Sequence, residues 1–396
     1  MRLPHQSWQT ALTVNLLAFT VAVAAWLALG PTAPEAMREA GLSPLGADAV
    51  RALPILVGAA LRVPFGMLAD RLGARVAWSA VSILTAAGFF ALSAADGPAG
   101  LVFGASLLGS AGAGFSVAVQ AVAAATPSER RGFALGLLGV GDVGAAVTLA
   151  LMPAMLAEHG WRAVMRGCAV VVAVTGALYV SAVPRDAPSL GARTLRGMLA
   201  PLRYAEGWRL GLAYASTFGV FVALALQGPA LLVDAFGCTP GAARITVVIF
   251  VATAGLARVP GGVLADRFGA RAVLDGALVA MCTALTALAL HPTPGTASAL
   301  LFVAGLASGV GSAAALLLVP RRFPTVTGAA GGVVGALGAT LGFALPLLGA
   351  LLRREMRLTT AALVPMIALA YASLLLDHLA ARRREGAALP RRSATT

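Results

Sequence analysis

The chain has no lysine; all 29 of its basic residues are arginine. A phosphate-binding loop of the Gly-x-x-x-x-Gly-Lys-Ser/Thr type is therefore impossible, and so is nucleotide-driven work through such a loop. Cysteine is scarce. Cys168 and Cys282 fall inside apolar blocks and Cys238 lies near a loop, with no CxxC or Cys/His ligand spacing. Neither a disulfide framework nor a metal site is indicated, and no cofactor is expected. The four histidines, His5, His159, His291 and His378, all sit near segment ends, as interfacial polar residues do. No Ser/His/Asp set and no soluble signalling domain is legible, so the chain does not read as an enzyme. Charge is the largest deficit. Only 11% of the 396 residues are charged, against about 25% in a soluble domain, which excludes a water-soluble globular protein.

Hydrophobic residues fill the gap: they make up 59% of the chain, and the mean hydropathy is +0.87. They arrive in blocks long enough to cross about 30 Å of hydrocarbon as helices, and in lipid such blocks must satisfy their backbone internally. The blocks predict an all-α membrane protein with about twelve transmembrane helices, near 10–30, 49–69, 76–95, 99–124, 133–157, 163–183, 208–232, 241–265, 272–291, 296–319, 326–352 and 358–380. The run from Ala11 to Leu29 is long enough to span and is followed by further spans, so it reads as the first of them rather than as a cleaved signal. A polar, Pro- and Arg-containing segment divides the chain. The expected organisation is a six-helix half over 1–183, a linker over 184–207, a second six-helix half over 208–381 and a basic tail over 382–396.

An even number of spans puts both termini on one face. Arg71 and Arg75, Arg130 and Arg131, the linker, Arg267 and Arg271, Arg321 and Arg322, and Arg382 to Arg384 all fall on that face. Short positive loops stay in the cytoplasm, so both termini are expected there, in a multi-pass protein of the inner (plasma) membrane. Arg353, Arg354 and Arg357 dissent, softened by Glu355. The net charge of +13 thus reads as topology; the partners expected are lipid and a small solute, not nucleic acid, and the chain is expected to be a monomer.

The halves repeat one another. Residues 62–75 read RVPFGMLADRLGAR and residues 258–271 read RVPGGVLADRFGAR, identical at eleven of fourteen positions with an offset of 196. A parallel repeat of six spans is a transporter architecture whose substrate site lies near the midplane. Arg62 precedes Asp70, at the span end, by eight residues, which is a depth of about 12 Å, near the centre of the hydrocarbon. Arg258 repeats this before Asp266. A charge at that depth costs roughly 2.5–3.5 kcal/mol even on insertion scales. The bland reading, an arginine neutralised by a carboxylate or by carbonyls, is needed twice at matching depth. The sharper one is a clamp for a planar anion, because a guanidinium donates parallel hydrogen bonds to two oxygens.

The signature Gly66-Met-Leu-Ala-Asp70-Arg71-Leu-Gly73-Ala-Arg75 and its partner from Gly262 to Arg271 resemble the loop motif of the major facilitator superfamily. Within it the chain resembles the nitrate/nitrite porter family. The narrower match rests on Ala-Leu-Arg62-Val-Pro and Leu-Ala-Arg258-Val-Pro, and on two glycine-rich spans, Gly136-Leu-Leu-Gly139-Val-Gly141-Asp142-Val-Gly144 and Gly328-Ala-Ala-Gly331-Gly332-Val-Val-Gly335-Ala-Leu-Gly338. The resemblance implies that Arg62 and Arg258 clamp the anion and that glycines such as Gly141 and Gly335 line its path. It also implies that Tyr214, Phe218 and Phe115 occupy binding-site positions. Plain helix packing explains most of the glycines equally well. Asp70, Arg71, Asp266 and Arg267 lie at the membrane edge and read first as gating or structural elements.

The chain departs from the family at two places in the site. Asp142 stands where members usually carry asparagine, and Ser312 stands where they often do. Asp142 lies about 16 Å deep, counting from Arg131. A carboxylate there either couples protons, as intramembrane acids often do, or selects a solute with a positive part. The function expected is secondary active transport of a small oxyanion, nitrate or nitrite, by proton symport or anion exchange. The alternative is a carrier for another anion or a drug-like solute.

Overall fold

Twelve helices among the described residues are long and apolar enough to cross a membrane. The computed structural model describes residues 7–184, 195–290 and 292–388. The spans are α1 (Trp8–Leu27), α2 (Ala49–Leu72), α3 (Ala74–Ser93), α4 (Pro98–Ala125), α5 (Ser128–His159), α6 (Trp161–Ala182), α7 (Ala205–Phe236), α8 (Pro240–Phe268), α9 (Ala270–Ala289), α10 (Pro294–Arg322), α11 (Thr327–Met356) and α12 (Thr359–Ala380). Each falls on a block predicted from hydropathy, and several run a turn or more beyond it. One element was not expected: a short helix, Leu29–Glu39, follows α1 almost without a break. Arg162 reaches it from α6 and pairs with Glu39. That hydrogen bond holds the Glu39 carboxyl below the ordinary carboxylate range, so the tie persists above that range and weakens as acid protonates Glu39. Of the linker expected over 184–207, residues 195–207 are described: short helices Leu195–Met198 and Ala200–Arg203, then the start of α7. Residues 185–194, the end of the tail from 389, His5 and His291 lie outside the described residues. Arg353 on the opposite face lies 3.8 Å from Asp234, which counters part of the dissenting charge.

The offset of 196 runs far beyond the motif. The helix containing α2 extends over Pro44–Leu72 and α8 over Pro240–Phe268. Their N-caps are Ser43, whose hydroxyl accepts from the Gly46 N–H, and Thr239, whose hydroxyl accepts from the Ala242 N–H. Gly41 and Gly237 both take φ +66°, and Gly73 and Gly269 take +86° and +91°. The last pair turns α2 into α3 and α8 into α9 within one residue, in a region of φ that side chains avoid. One backbone plan is thus built twice.

The outer surface is apolar. Ile83, Phe90, Phe103, Val170, Leu226 and Leu256 are all exposed, as lipid-facing side chains must be. The interior polar groups differ between the halves. In the first six spans Asn15, the chain's only asparagine, accepts hydrogen bonds from Trp78 Nε1 at 3.1 Å and Tyr179 Oη at 3.0 Å. In the last six spans the corresponding ends are held by charge. Arg209 pairs with Asp377, Arg271 lies 3.0 Å from the same carboxylate, and Glu206 accepts from Arg209 at 2.7 Å. Asn15→Leu leaves two buried donors without that acceptor. We expect a loss of about 1–2 kcal/mol, read as a lower thermal midpoint of the purified protein in detergent.

Candidate functional site

Three spans lose regular α-helical geometry near their middles, and all three breaks fall at the same place in the fold. α4 tightens to a 3₁₀ turn over Gly109–Ala113, α5 does so over Val140–Asp142, and α7 widens to a π turn over Ala215–Gly219. Such breaks release carbonyls from the i→i−4 ladder. In α5 the Val143 N–H turns to Val140 O, three residues back instead of four.

Carbonyls in or beside two of these breaks, and one from the unbroken helix α11, accept hydrogen bonds from the two arginines. Arg258 Nη1 of α8 donates to Gly139 O at 2.9 Å. Arg62 of α2 donates through Nε to Gly112 O at 3.1 Å and through Nη1 to Gly335 O. Gly139 and Gly335 are themselves related by the offset of 196. Each guanidinium therefore crosses to the opposite half of the molecule. Arg62 is 3% exposed and Arg258 4%. The bland reading of these arginines, neutralisation by carbonyls, is thus part of what they do.

Aromatic rings line the same space. Phe115 of α4 lies 5.8 Å from Tyr214 of α7, and Tyr214 stacks on Phe218 at 5.1 Å and 18°. The Arg62 guanidinium stands 4.7 Å over Phe115 and 5.2 Å over Trp26, and that of Arg258 stands 5.5 Å over Phe218. These are cation–π distances, which favour a charge already stripped of water. Asp142 approaches Arg258 Nη1 to 2.6 Å through Oδ2.

Arg62, Arg258, Tyr214, Phe218, Phe115, Gly335 and Asp142 are therefore brought together. Gly141 is not. A Cβ on it would meet Phe19 of α1 at 2.6 Å, so it packs helices within one half. The glycine at the arginine is Gly139, where a Cβ would meet Arg258 Cδ at 2.6 Å. Subtracting 196 from Gly335 would have found it. Phe19, whose ring lies 6.1 Å from that of Phe115, and Trp26 were also missed. They lie seven residues apart on one face of α1, a spacing that marks a shared surface but gives no depth or partner. Ser312 donates to Thr217 Oγ1 at 3.2 Å and holds the π turn of α7.

The membrane-edge motif closes the face that carries the termini. Asp70 accepts from the Gly328 and Ala329 N–H groups, both at 2.8 Å. Asp266 accepts from the Gly132 and Phe133 N–H groups, both at 2.9 Å. All these partners again differ by 196. A carboxylate on two free N–H groups at a helix start satisfies donors the helix cannot and opposes its dipole. The adjacent arginines take no part in this closure. Arg71 and Arg267 are exposed, and Arg267 lies over its neighbour Phe268. Between the carboxylates and the arginines, Gly66 meets the backbone of Gly328 and Gly262 that of Gly132, so closely that no Cβ would fit.

The sequence model of the Major Facilitator Superfamily matches residues 15–211 and again 210–394. A Thermus thermophilus protein named "Probable nitrate/nitrite antiporter NarK1" is 35% identical over 367 residues, 85% of this chain and 83% of that one. The "Nitrite extrusion protein" of Bacillus subtilis (strain 168) is 30% identical over 337 residues, 85% of each chain. Among solved structures, the transporter FucP in the outward conformation is similar in fold, with a TM-score of 0.73 at 15% identity, over 94% of this chain and 99% of that one.

Each cap ties a carboxylate of one half to a helix start of the other. Asp70→Asn or Asp266→Asn removes the charge and turns one acceptor into a donor, at a cost of about 1 kcal/mol to the closed state. With the three native cysteines replaced and a Val333→Cys reporter, buried on α11 between Gly328 and Gly335, each substitution is expected to raise the thiol labelling rate about fivefold, and a rate unchanged by both would remove the caps from the closure.

Proposed function

The chain belongs to the Major Facilitator Superfamily, and from that membership we propose that it carries nitrate or nitrite across the membrane by alternating access. The observation that carries the substrate class is the pair of buried guanidiniums, one from each half, at equivalent positions and depth. A planar oxyanion between them accepts parallel hydrogen bonds from both, and its faces meet the rings of Phe115, Tyr214 and Phe218. The names of the relatives at 35% and 30% identity support the same anion class.

The two arginines also give a means of coupling binding to movement. In the closed arrangement each donates to a carbonyl of the opposite half. An anion that draws both guanidiniums to itself replaces contacts between the halves with contacts to the solute, and only differential contacts of this kind shift a conformational equilibrium. The energy source is a solute gradient, either exchange of one anion for another or co-entry of protons. The terminal face, with its arginine-rich loops, is cytoplasmic, the membrane is the inner (plasma) membrane, and the working unit is a single chain.

Reconstituted protein tests this reading. Wild-type proteoliposomes should take up labelled nitrate and nitrite and exchange one for the other. Arg62→Ala and Arg258→Ala should each lower uptake at least about 30-fold, the loss of charge-assisted hydrogen bonds totalling about 2–4 kcal/mol. Uptake that survives both substitutions would falsify the clamp.

A further inference from the structure

The repeat is broken at one chemically decisive position. Adding 196 to Asp142 gives Gly338, so α5 carries a carboxylate where α11 carries no side chain. The consequence is unequal arginines. Arg258 has a carboxylate at 2.6 Å. Arg62 donates to two carbonyls and has no carboxylate within ion-pair distance among the described residues. The empty site therefore holds two guanidiniums against one carboxylate, a net single positive charge.

The surroundings of Asp142 are few and definite. Its turn packs against α1 and α8. α1, from Trp8 to Leu27, has no titratable side chain, and it offers Phe19 and Thr20 to the turn. α8 offers Arg258. Arg62 of α2 and Tyr214 of α7 lie within electrostatic reach. The Asp142 side chain is 27% exposed, so it is accessible to water while its partner is buried.

We propose that Asp142 is an internal counter-anion which the transported anion displaces from Arg258, and that the displaced carboxylate takes up one proton, so that each anion travels with one proton. This rests on the reading that the arginine pair binds the anion. The step balances without any change of oxidation state. The ion pair between Arg258 Nη1–H and Asp142 Oδ2 is given up, and an oxygen of the arriving anion accepts that N–H. Asp142 gains a proton from the water on whichever side the site is open. Arg62, with no carboxylate partner among the described residues, supplies the first attraction. An added anion and an added proton leave the net charge unchanged, so empty and loaded forms present the same charge to the membrane interior. Without the proton, the loaded site would be neutral and the empty one charged, and the two forms would differ in the electrostatic cost of moving.

Two measurements separate this proposal from the reading beneath it. The first is isothermal titration of purified wild-type protein with sodium nitrate, in two buffers of different ionisation enthalpy. Binding should be accompanied by uptake of about one proton, and Asp142→Asn should bind nitrate with none. Nitrate that binds wild-type protein without proton uptake anywhere between about pH 5 and 8 overturns the proposal and leaves the clamp intact. Failure to bind nitrate at all overturns the clamp. The second is accumulation in proteoliposomes under an inward acid gradient of about one pH unit, where one-to-one coupling gives about tenfold accumulation of nitrate. Asp142→Asn should lose gradient-driven accumulation, and Asp142→Glu should restore it. Gradient-driven accumulation that persists in Asp142→Asn would also sink the proposal.

Discussion

A guanidinium held near the middle of a membrane must be given hydrogen-bond partners where water supplies none. The irregularities of this fold are answers to that requirement. Arg62 donates to Gly112 O in the 3₁₀ turn of α4 and to Gly335 O of α11, and Arg258 donates to Gly139 O beside the 3₁₀ turn of α5. The glycines of α5 and α11 let those carbonyls approach, since a Cβ at Gly139 or Gly335 would occupy the space of the arginine or of Phe115. The aromatic rings under both guanidiniums provide further favourable contact without adding a competing charge.

Much of this was legible in the sequence because the membrane leaves few alternatives. Hydropathy located all twelve spans, since apolar blocks of that length have only one stable form in lipid. The depth of Arg62 and Arg258 followed from counting residues to Asp70 and Asp266, because a helix converts separation into distance at a fixed rise. The partners of those aspartates were not legible. Each caps a helix of the other half more than a hundred residues away, and no local pattern near Gly132 or Gly328 announces it. Gly141 stands out by its place in a glycine-rich run, but glycines 139 and 141 differ by a rotation of about 200° around the helix, and rotation is what composition cannot give. The helix from Leu29 to Glu39 escaped because it is too short and too polar to resemble a span, and its two prolines suggest a loop.

Duplication followed by divergence at a few positions gives the molecule its directionality of chemistry. The caps, the turns at Gly73 and Gly269 and the arginine–glycine contacts are the same in both halves. Asp142 against Gly338, Phe115 against Gly311 and Phe218 against Ala22 are not. Each half thus brings one arginine, while the carboxylate comes from the first half alone and the aromatic face of each guanidinium comes from a different element. A symmetric frame thus encloses asymmetric contents.

The backbone contacts of Gly66 with Gly328 and of Gly262 with Gly132 have a consequence for the membrane as a whole. Where two helices touch so closely that a methyl group does not fit, a file of water molecules does not fit either. Protons cross membranes along such files. The four neighbouring N–H groups are already satisfied by Asp70 and Asp266. At these two contacts the closed face therefore excludes a water file as well as a solute.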